Sequence, residues 1–383
     1  MRDAVIVDAV RTPIGKRNGA LAGIHPADLS AHVLRTLAGR TRLDPGDVDD
    51  VIWGCVGQVG DQSGDIARTA VLAAGWPVSV PGTTVDRRCG SSQQAVHFAA
   101  AGVAAGHYDL VVAGGVESMS RVPMGSAARD GAPHPGSVLE RFGVDGFGQG
   151  TGAELMAARW GLSRQVLDEY AARSHARAAE AADRGALDGQ LAPIGGLEAD
   201  EGVRRDSTPE TLAALKTAFR PDGVITAGNA SQISDGAAAL LITSSDLARA
   251  RGMRPIARVH TVAVTGDDPV MMLTAPIAAT AKALKQAGLG IDDIGVYEVN
   301  EAFAPVPLAW QAETGAHGDR LNPLGGAIAT GHPLGGTGAA LMTRLVHHMR
   351  DQGIRYGLQT MCEGGGMANA TVLELLDTAE AAR

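Results

Sequence analysis

The sequence is poor in cysteine, in aromatic residues and in long apolar runs. Of its 383 residues, five are Phe, four Trp, four Tyr and three Cys. Three cysteines cannot form a disulfide framework, and the absence of a CxxC pair argues against a zinc site. No apolar run approaches the roughly 20 residues of a membrane helix, and the N-terminal stretch, which contains Asp3 and Asp8, lacks the apolar region of a signal peptide. We therefore expect a cytoplasmic protein without a membrane span.

Basic charge is scarce and glycine is abundant. The 33 Lys and Arg residues against 42 Asp and Glu leave a formal charge of −9, which argues against nucleic acid as a partner. A local basic patch that binds a phosphate-bearing substrate is still possible, and it could be formed by Arg87, Arg88, Arg204, Arg205 and Lys216. Solvated surface charge is the simpler explanation of these residues. The 51 glycines, about twice the usual share, indicate many tight turns and sites built from main-chain amides.

The chain contains an internal repeat. The segment DPGDVDDVIWGCV resembles GIDDIGVYEVNEAF, with Gly54 aligned on Asn300, and HYDLVVAGGVESM resembles RYGLQTMCEGGGM, with Tyr108 aligned on Tyr356. The offset between the copies changes by only two residues from the first pair to the second, which indicates two copies of one α/β unit.

Short apolar segments, rich in β-branched residues, predict the strands of these two units. Because they are apolar on both faces, we expect helices on both sides of the sheets. The predicted strands span residues 5–10, 51–56, 110–116, 238–243, 256–264, 296–300 and 357–362. We predict an N-terminal half from residues 1–117 and 229–250, a C-terminal half from residues 251–383, and an inserted loop or substrate domain over 118–228. Within the insert we predict a loop over 126–151 and a helix over 162–183.

Cys89 lies in TTVDRRCGSS, which reads as a strand, a turn and the start of a helix. A thiol at a helix N-terminus has its pKa lowered by the helix dipole and by free amides, and the thiolate is the reactive form. Arg87 and Arg88 add positive charge, so we expect a reactive nucleophile with a lowered pKa. The alternative is a small buried apolar side chain.

Three further candidates lie in the second copy. His332 stands in a glycine-rich segment, GGAIATGHPLGG, where Pro333 predicts a fixed, solvent-reaching imidazole suited to a general base. Cys362 ends a strand and enters CEGGGMA, in which Gly364 and the glycines after it would expose main-chain amides for an oxyanion hole. Asn300 ends a strand in VNEAF, and strand ends are where α/β proteins hold ligands. Each feature alone has an ordinary structural explanation; together they are far more specific.

The motifs RRCGSS, NEAF, GGAIATGHPLG and CEGGGMA resemble, in order and spacing, the four active-site blocks of the thiolase family, and the resemblance covers nearly the whole chain. It implies a five-layered α/β/α/β/α fold with two duplicated halves and an inserted loop domain. It also implies that Cys89 becomes acylated, that His332 activates it and that Cys362 moves the proton of the acetyl α-carbon. One oxyanion hole would then comprise His332 and a water held by Asn300, and the other the main-chain amides of Cys89 and Gly364.

The resemblance extends to the substrate and the assembly. It places Phe219 and Ala227 of the insert and Ser231 just after it, with Ala302 and Phe303 opposite, around the pantetheine of coenzyme A. Coenzyme A and acyl-CoA would be the ligands, with no other cofactor and no metal, and the assembly would be a homodimer or homotetramer.

Three residues depart from the pattern of short-chain biosynthetic thiolases. Gly148 and Gln149 stand where those enzymes carry His-Met, which leaves room for an acyl chain bulkier than acetoacetyl and resembles degradative and steroid-side-chain thiolases. Glu363 replaces a more usual apolar residue, and we expect it to face solvent.

Three other functions and one metal site are alternative interpretations of these motifs. A short-chain acetyl-CoA acetyltransferase is possible if the Gly148–Gln149 change has no effect. A ketosynthase shares the fold but lacks a second catalytic cysteine, which Cys362 would be. A non-catalytic acyl-CoA-binding relative would have lost a catalytic residue, and none is lost. A zinc site formed by Cys89, His332 and Cys362 lacks the paired ligand spacing.

Overall fold

The computed structural model describes residues 2–376. Strands and helices alternate over much of this range, except that four helices follow one another between β5 and β6. The strands are β1 (Ala4–Arg11), β2 (Gly15–Lys16), β3 (Asp50–Gly54), β4 (Thr83–Val85), β5 (Leu110–Ser118), β6 (Ser234–Ser244), β7 (Ala257–Gly266), β8 (Val296–Val299), β9 (Tyr356–Glu363) and β10 (Met367–Leu375). The helices are α1 (Pro26–Thr41), α2 (Ile66–Ala73), α3 (Ser91–Ala105), α4 (Gly136–Phe142), α5 (Gln149–Arg159), α6 (Arg164–Asp183), α7 (Pro209–Ala213), α8 (Ser245–Ala250), α9 (Ala275–Ala287), α10 (Pro305–Thr314), α11 (Ala327–Thr330) and α12 (Leu334–Gln352).

The order of the strands reflects the internal repeat. The sheet runs β4-β3-β5-β6-β1-β7-β10-β9-β8, and β2 pairs with β6. Outward from the centre, the first half reads β1, β6, β5, β3, β4 and the second half β7, β10, β9, β8. Apart from the additional edge strand β4, both halves have the same connectivity. They meet where β1 and β7 pair antiparallel, with Val5 opposite Arg258 and Ile6 opposite Ala257. The repeat predicted from the sequence is confirmed.

Alternating side chains on the strands separate the core into layers. On β3, Val51 and Trp53 belong to a buried cluster with α1 and α2, whereas Ile52 belongs to a second cluster with α3 and α12. In the second half, Val296 of β8 joins that α3–α12 cluster, and Tyr297 packs on the other face with α9 and α10. This alternation places α3 and α12 between the two half-sheets and the other helices outside, which confirms the predicted α/β/α/β/α architecture.

The seven predicted strands are present to within a few residues, and α6 matches the predicted helix over 162–183. The predicted loop over 126–151 is wrong in part, because α4 forms within it and α5 begins at Gln149. Strand β10 was not predicted. The predicted domain boundaries stay predictions, and their ends at Met1 and at residues 377–383 lie outside the described residues. Within the described range, every helix is too short or too polar to cross a membrane.

Candidate active site

The turn that carries Cys89 is held by its own hydrogen bonds. After β4, Arg88 adopts a left-handed backbone conformation with φ of 50°, an uncommon geometry for a residue with a Cβ. The Ser91 hydroxyl accepts from the Arg87 amide at 2.9 Å and donates to the Arg88 carbonyl at 2.5 Å. The Arg88 amide donates to Asp86 at 2.7 Å. These bonds hold Cys89 at the entry to α3, where it is only 3% exposed.

The Cys89 thiol does not have the lowered pKa that its helix position predicted. Burial, followed by the nearby Glu363 carboxyl, raises its pKa to about 12. A hydrogen bond from Gln149 and bonds from the main-chain amides of Cys89 and Gly364 act in the opposite direction. The prediction was wrong because desolvation of a charged sulfur exceeds the effect of the helix terminus. At neutral pH the Cys89 sulfur is therefore a thiol, and it would need a base to become a thiolate.

The imidazole of His332, the predicted base, is held in one orientation by Thr337. Its Nδ1 lies 2.7 Å from the Thr337 hydroxyl, which itself donates to the Pro333 carbonyl at 2.8 Å. Because the only hydroxyl hydrogen of Thr337 is used in that way, its oxygen accepts from Nδ1–H, and Nε2 keeps a lone pair. Burial lowers the pKa of His332 to about 4, so the imidazole is neutral. It is fixed, as predicted, but it does not reach solvent, since it is 3% exposed.

Asn300 lies beside Nε2 of His332, the ring nitrogen that carries no proton. Its Nδ2 is 3.4 Å from His332 Nε2, and its Oδ1 is buried without a hydrogen-bond partner. The Asn300 main-chain amide donates to the Thr360 carbonyl at 3.0 Å, which ties this strand end to β9 two residues before Cys362. An amide oxygen that lacks a partner is suited to holding a water or a substrate group.

Cys362 and Gly364 approach Cys89 from the β9–β10 hairpin. Cys362 is 1% exposed, and burial and the nearby Cys89 raise its pKa well above the usual value. Gly364 is partly exposed, and its amide bonds to Cys89, as noted above. Gly365 and Gly366, with φ of 92° and 75°, form the tight turn that aims this amide, a conformation that favours glycine. The structure thus brings the two thiols and two main-chain amides together.

The prediction that Glu363 faces solvent is wrong. The side chain is fully buried, at 0% exposed, because β9 is covered on both faces and its last residue pairs with Met367 of β10. A Cβ added to Gly90 would lie 2.0 Å from Glu363 Oε1. The carboxyl therefore lies against the residue that follows the nucleophile.

Glu117, at the end of β5, joins the two halves beneath the site and was missed. Its carboxylate accepts from the amides of Val56, Gly57 and Gly335 at 2.8–3.0 Å and from Gln62 Nε2 at 2.7 Å. The bond to Gly335 fixes the start of α12, three residues after His332. The sequence signal for Glu117 was a carboxylate at the end of an apolar strand, in GGVES. The sequence signal for Thr337 was a hydroxyl five residues after His332.

The residues predicted to contact coenzyme A form one cluster beside α5, apart from Ala227. The rings of Phe219 and Phe303 lie edge to face, 5.9 Å apart, and the Ser231 amide donates to the Ala302 carbonyl at 2.9 Å. Phe219 is 49% exposed and packs so closely on Gly150 that a Cβ there would lie 2.1 Å from its ring.

Ala227 and Gln149 flank this cluster. Ala227 is exposed on a turn that Asn229 closes by accepting from the Thr226 amide at 2.9 Å. Gln149 lies next to Gly150 and bonds Cys89. The start of α5 therefore connects the nucleophile to the predicted coenzyme A surface.

A cavity of about 280 Å³ opens beside Cys89 and Gly364. Its wall is mainly apolar and comes from the segment after β5, from Phe147 and from two turns of the second half. Its large apolar wall residues include Met119, Val122, Met124, Phe147, Met272 and Leu334. Such a cavity suits an aliphatic or ring-bearing chain. Over residues 2–376, no three or more His, Cys, Asp or Glu side chains are grouped to hold a metal ion.

Comparison with known proteins connects this geometry to one family. Residues 4–246 match the family model described as "Thiolase, N-terminal domain", and residues 253–375 match "Thiolase, C-terminal domain". The chain is 49% identical to a steroid 3-ketoacyl-CoA thiolase of Mycobacterium tuberculosis, with 98% of this chain and 95% of the relative covered. It is 44% identical to a 3-ketoacyl-CoA thiolase of Escherichia coli, with 98% and 100% covered. Its fold is similar to the crystal structure of the Bacillus anthracis acetyl-CoA acetyltransferase, with a TM-score of 0.90, 37% identity and 98% and 99% covered.

Proposed function

Because this chain belongs to the thiolase family, we propose that it cleaves 3-ketoacyl-CoA with coenzyme A to acetyl-CoA and a shortened acyl-CoA. The observation that carries the proposal is that a second thiol and two main-chain amides meet at Cys89. Two main-chain amides bond Cys89. Cys89 lies close enough to Cys362 to raise the pKa of the Cys362 thiol. The His332 imidazole is neutral.

In the first half-reaction, His332 takes the proton of Cys89, and the sulfur attacks the 3-keto carbon. The amides of Cys89 and Gly364 stabilise the oxyanion. When the C2–C3 bond breaks, its electron pair forms the enolate of acetyl-CoA, and the Cys362 thiol protonates the α-carbon. A water held by Asn300 and His332 stabilises the enolate oxygen.

In the second half-reaction, the thiol of coenzyme A attacks the acyl-Cys89 thioester. Before this attack, the proton that His332 took from Cys89 passes to the Cys362 thiolate, which restores the neutral imidazole and the Cys362 thiol. His332 then accepts the coenzyme A proton and returns it to the departing Cys89 sulfur. Acyl transfer through Cys89 gives ping-pong kinetics. The chain's own groups complete both steps, so we propose that coenzyme A is a substrate and that no further cofactor takes part.

We propose that the acyl chain is longer or bulkier than acetoacetyl. The cavity beside Cys89 is lined mainly by apolar side chains, which offer more apolar surface than the methyl group of acetoacetyl-CoA needs. Gly148, at the start of α5, also offers no side chain where a histidine would narrow the site. The steroid thiolase among the relatives supports the same substrate class.

The proposal extends to the assembly and the compartment. We propose a homodimer or homotetramer because β4, at the edge of the sheet, has a side without a partner strand among the described residues. Exposed apolar side chains such as Phe98 and Val78 lie on neighbouring segments. We propose the cytoplasm as the compartment because all three cysteines are free thiols and two of them would be inactivated by oxidation.

The test is the rate of CoA-dependent cleavage across a panel of 3-ketoacyl-CoAs, from acetoacetyl to long, branched and ring-bearing chains. We expect higher kcat/KM for the longer or bulkier substrates. A preference for acetoacetyl-CoA would refute the acyl-chain proposal and leave a short-chain acetyltransferase, as in the structural relative. No cleavage of any substrate by protein whose Cys89 is still reactive would refute thiolysis and favour a ketosynthase.

A further inference from the structure

The Glu363 carboxyl is buried beside the two thiols with no hydrogen bond to satisfy it. Its side chain is 0% exposed, and neither carboxyl oxygen has a partner. An ionised carboxylate buried in this way loses its hydration without compensation, which strongly favours the neutral acid. The mechanism proposed above does not use this group.

The surroundings of Glu363 explain why its oxygens lack donors. The carboxyl lies against Gly90, at the start of α3, where a Cβ would meet Oε1 at 2.0 Å. A nearby amide side chain, that of Asn369 on β10, donates instead to the Gly90 carbonyl at 3.0 Å. Gly90 therefore leaves space for the carboxyl, and Asn369 leaves it unpaired.

Charged groups face Glu363 from the segment before the nucleophile. Arg87 lowers its pKa and Asp86 raises it, but burial is the largest cause, and the pKa is raised to about 8. Two thiols are also ionisable neighbours of Glu363: Cys89, from the turn before α3, and Cys362, from β9 itself. The Glu363 charge raises the pKa of both thiols.

We propose that Glu363 is a positioning residue that holds the nucleophile in its thiol form: whenever its carboxyl is charged, it opposes formation of the Cys89 thiolate. The neutral carboxyl does not oppose it. This protects the resting cysteine from alkylation and oxidation above neutral pH and reserves deprotonation for the moment when His332 and the substrate are in place. The inference rests on the proposed function only in treating Cys89 as the nucleophile.

A structural role alone would have a different signature. If Glu363 only filled space, its replacement would change the packing around Cys89 equally at every pH. If its charge acts on the thiol, the effect of replacement must grow as pH rises through the titration of the carboxyl. A unit charge within a few ångströms shifts a neighbouring pKa by about one unit or more.

The experiment measures the rate of Cys89 alkylation by iodoacetamide from pH 6 to 10, in the full-length protein without substrate. Peptide-resolved mass spectrometry separates Cys89 from Cys55 and Cys362. The variants are Glu363→Gln and Glu363→Met, which both remove the charge, and Glu363→Asp, which keeps it. Glu298→Gln is the matched control. Glu298 is also a buried carboxyl, 1% exposed and without hydrogen-bond partners, but it lies on β8 beside Arg344.

We expect Glu363→Gln and Glu363→Met to match the wild type within about twofold at pH 6 and to react about tenfold faster at pH 9. Glu363→Asp and Glu298→Gln should follow the wild-type profile. A ratio of variant to wild type that is the same at every pH would overturn the proposal. Because alkylation needs no substrate, a protein that shows the expected profile but cleaves no 3-ketoacyl-CoA would refute the thiolase activity and not this role of Glu363.

Discussion

Replacing Thr337 with Val tests whether the tautomer of His332 makes it a base. Thr337 is 2% exposed, and its hydroxyl accepts from His332 Nδ1 at 2.7 Å while donating to the Pro333 carbonyl at 2.8 Å. Val has nearly the same shape but neither hydrogen bond. The variant therefore leaves Nδ1–H buried without an acceptor and removes the reason for the proton to stay on Nδ1.

The magnitude follows from the cost of an unsatisfied buried donor, about 1–3 kcal/mol. With about 1.4 kcal/mol for each factor of ten, this corresponds to a loss of about 5- to 150-fold in kcat/KM. Both halves of the reaction use His332, so the rate of Cys89 acylation and the rate of transfer to coenzyme A should fall together.

The assay is stopped-flow acylation of Cys89 followed by steady-state thiolysis, with Thr337→Ser as the control. Ser keeps the hydroxyl and should retain activity within about threefold of wild type, because both hydrogen bonds remain possible. If Thr337→Val acylates at the wild-type rate while its thermal stability is unchanged, the assignment of Nε2 as the base through Thr337 is wrong.

Three further predictions address the coenzyme A surface, the pH dependence and the packing of α12. Phe219→Ala should raise the KM for coenzyme A about tenfold with kcat nearly unchanged, because the ring is 49% exposed and contacts Phe303 rather than the thiols; a fall in kcat alone would contradict this placement. Because burial lowers the pKa of His332 to about 4, the base stays neutral down to that pH, so the acid limb of kcat/KM should lie near pH 4–5, and a limb at the ordinary histidine value of about 6.5 would show an exposed imidazole. Gly335→Ala should lower the melting temperature by several degrees and reduce activity, because its Cβ would lie 2.6 Å from the Cys55 Cα and the Val116 carbonyl oxygen. Gly39→Ala, on an open part of α1, should be neutral or stabilising.

The fold was predictable because the repeat and the strand patterns are both local signals. Apolar runs such as 110–116 and 238–243 are buried on both faces and read as strands regardless of their partners. What could not be read locally was the pairing that joins the halves, β1 with β7, and the strand β10, which follows a glycine turn that masks its start. The helix α4 was missed because its segment is rich in Gly and Pro, which favour loops.

The candidate site was predictable in its residues and not in its protonation states. Cys89, Asn300, His332 and Cys362 all stand at strand ends or glycine turns, and those are sequence signals. The pKa shifts of Cys89, His332 and Cys362 come first from burial. Burial depends on how the two halves pack, and at Cys89 it outweighs the local helix terminus. The burial of Glu363 has the same origin, since only the complete hairpin covers β9.

The measurement that tests the central claim most directly is the identification of the acylated residue in wild type and in Cys362→Ala. Both proteins are mixed with an acyl-CoA thioester in the absence of free coenzyme A and analysed by peptide mass spectrometry, and cleavage of 3-ketoacyl-CoA is measured in parallel. Two-cysteine catalysis predicts acyl-Cys89 in both proteins, slowly formed in Cys362→Ala, with C–C cleavage in the wild type alone. An acyl group on any other residue, or wild-type cleavage by Cys362→Ala, would contradict the account.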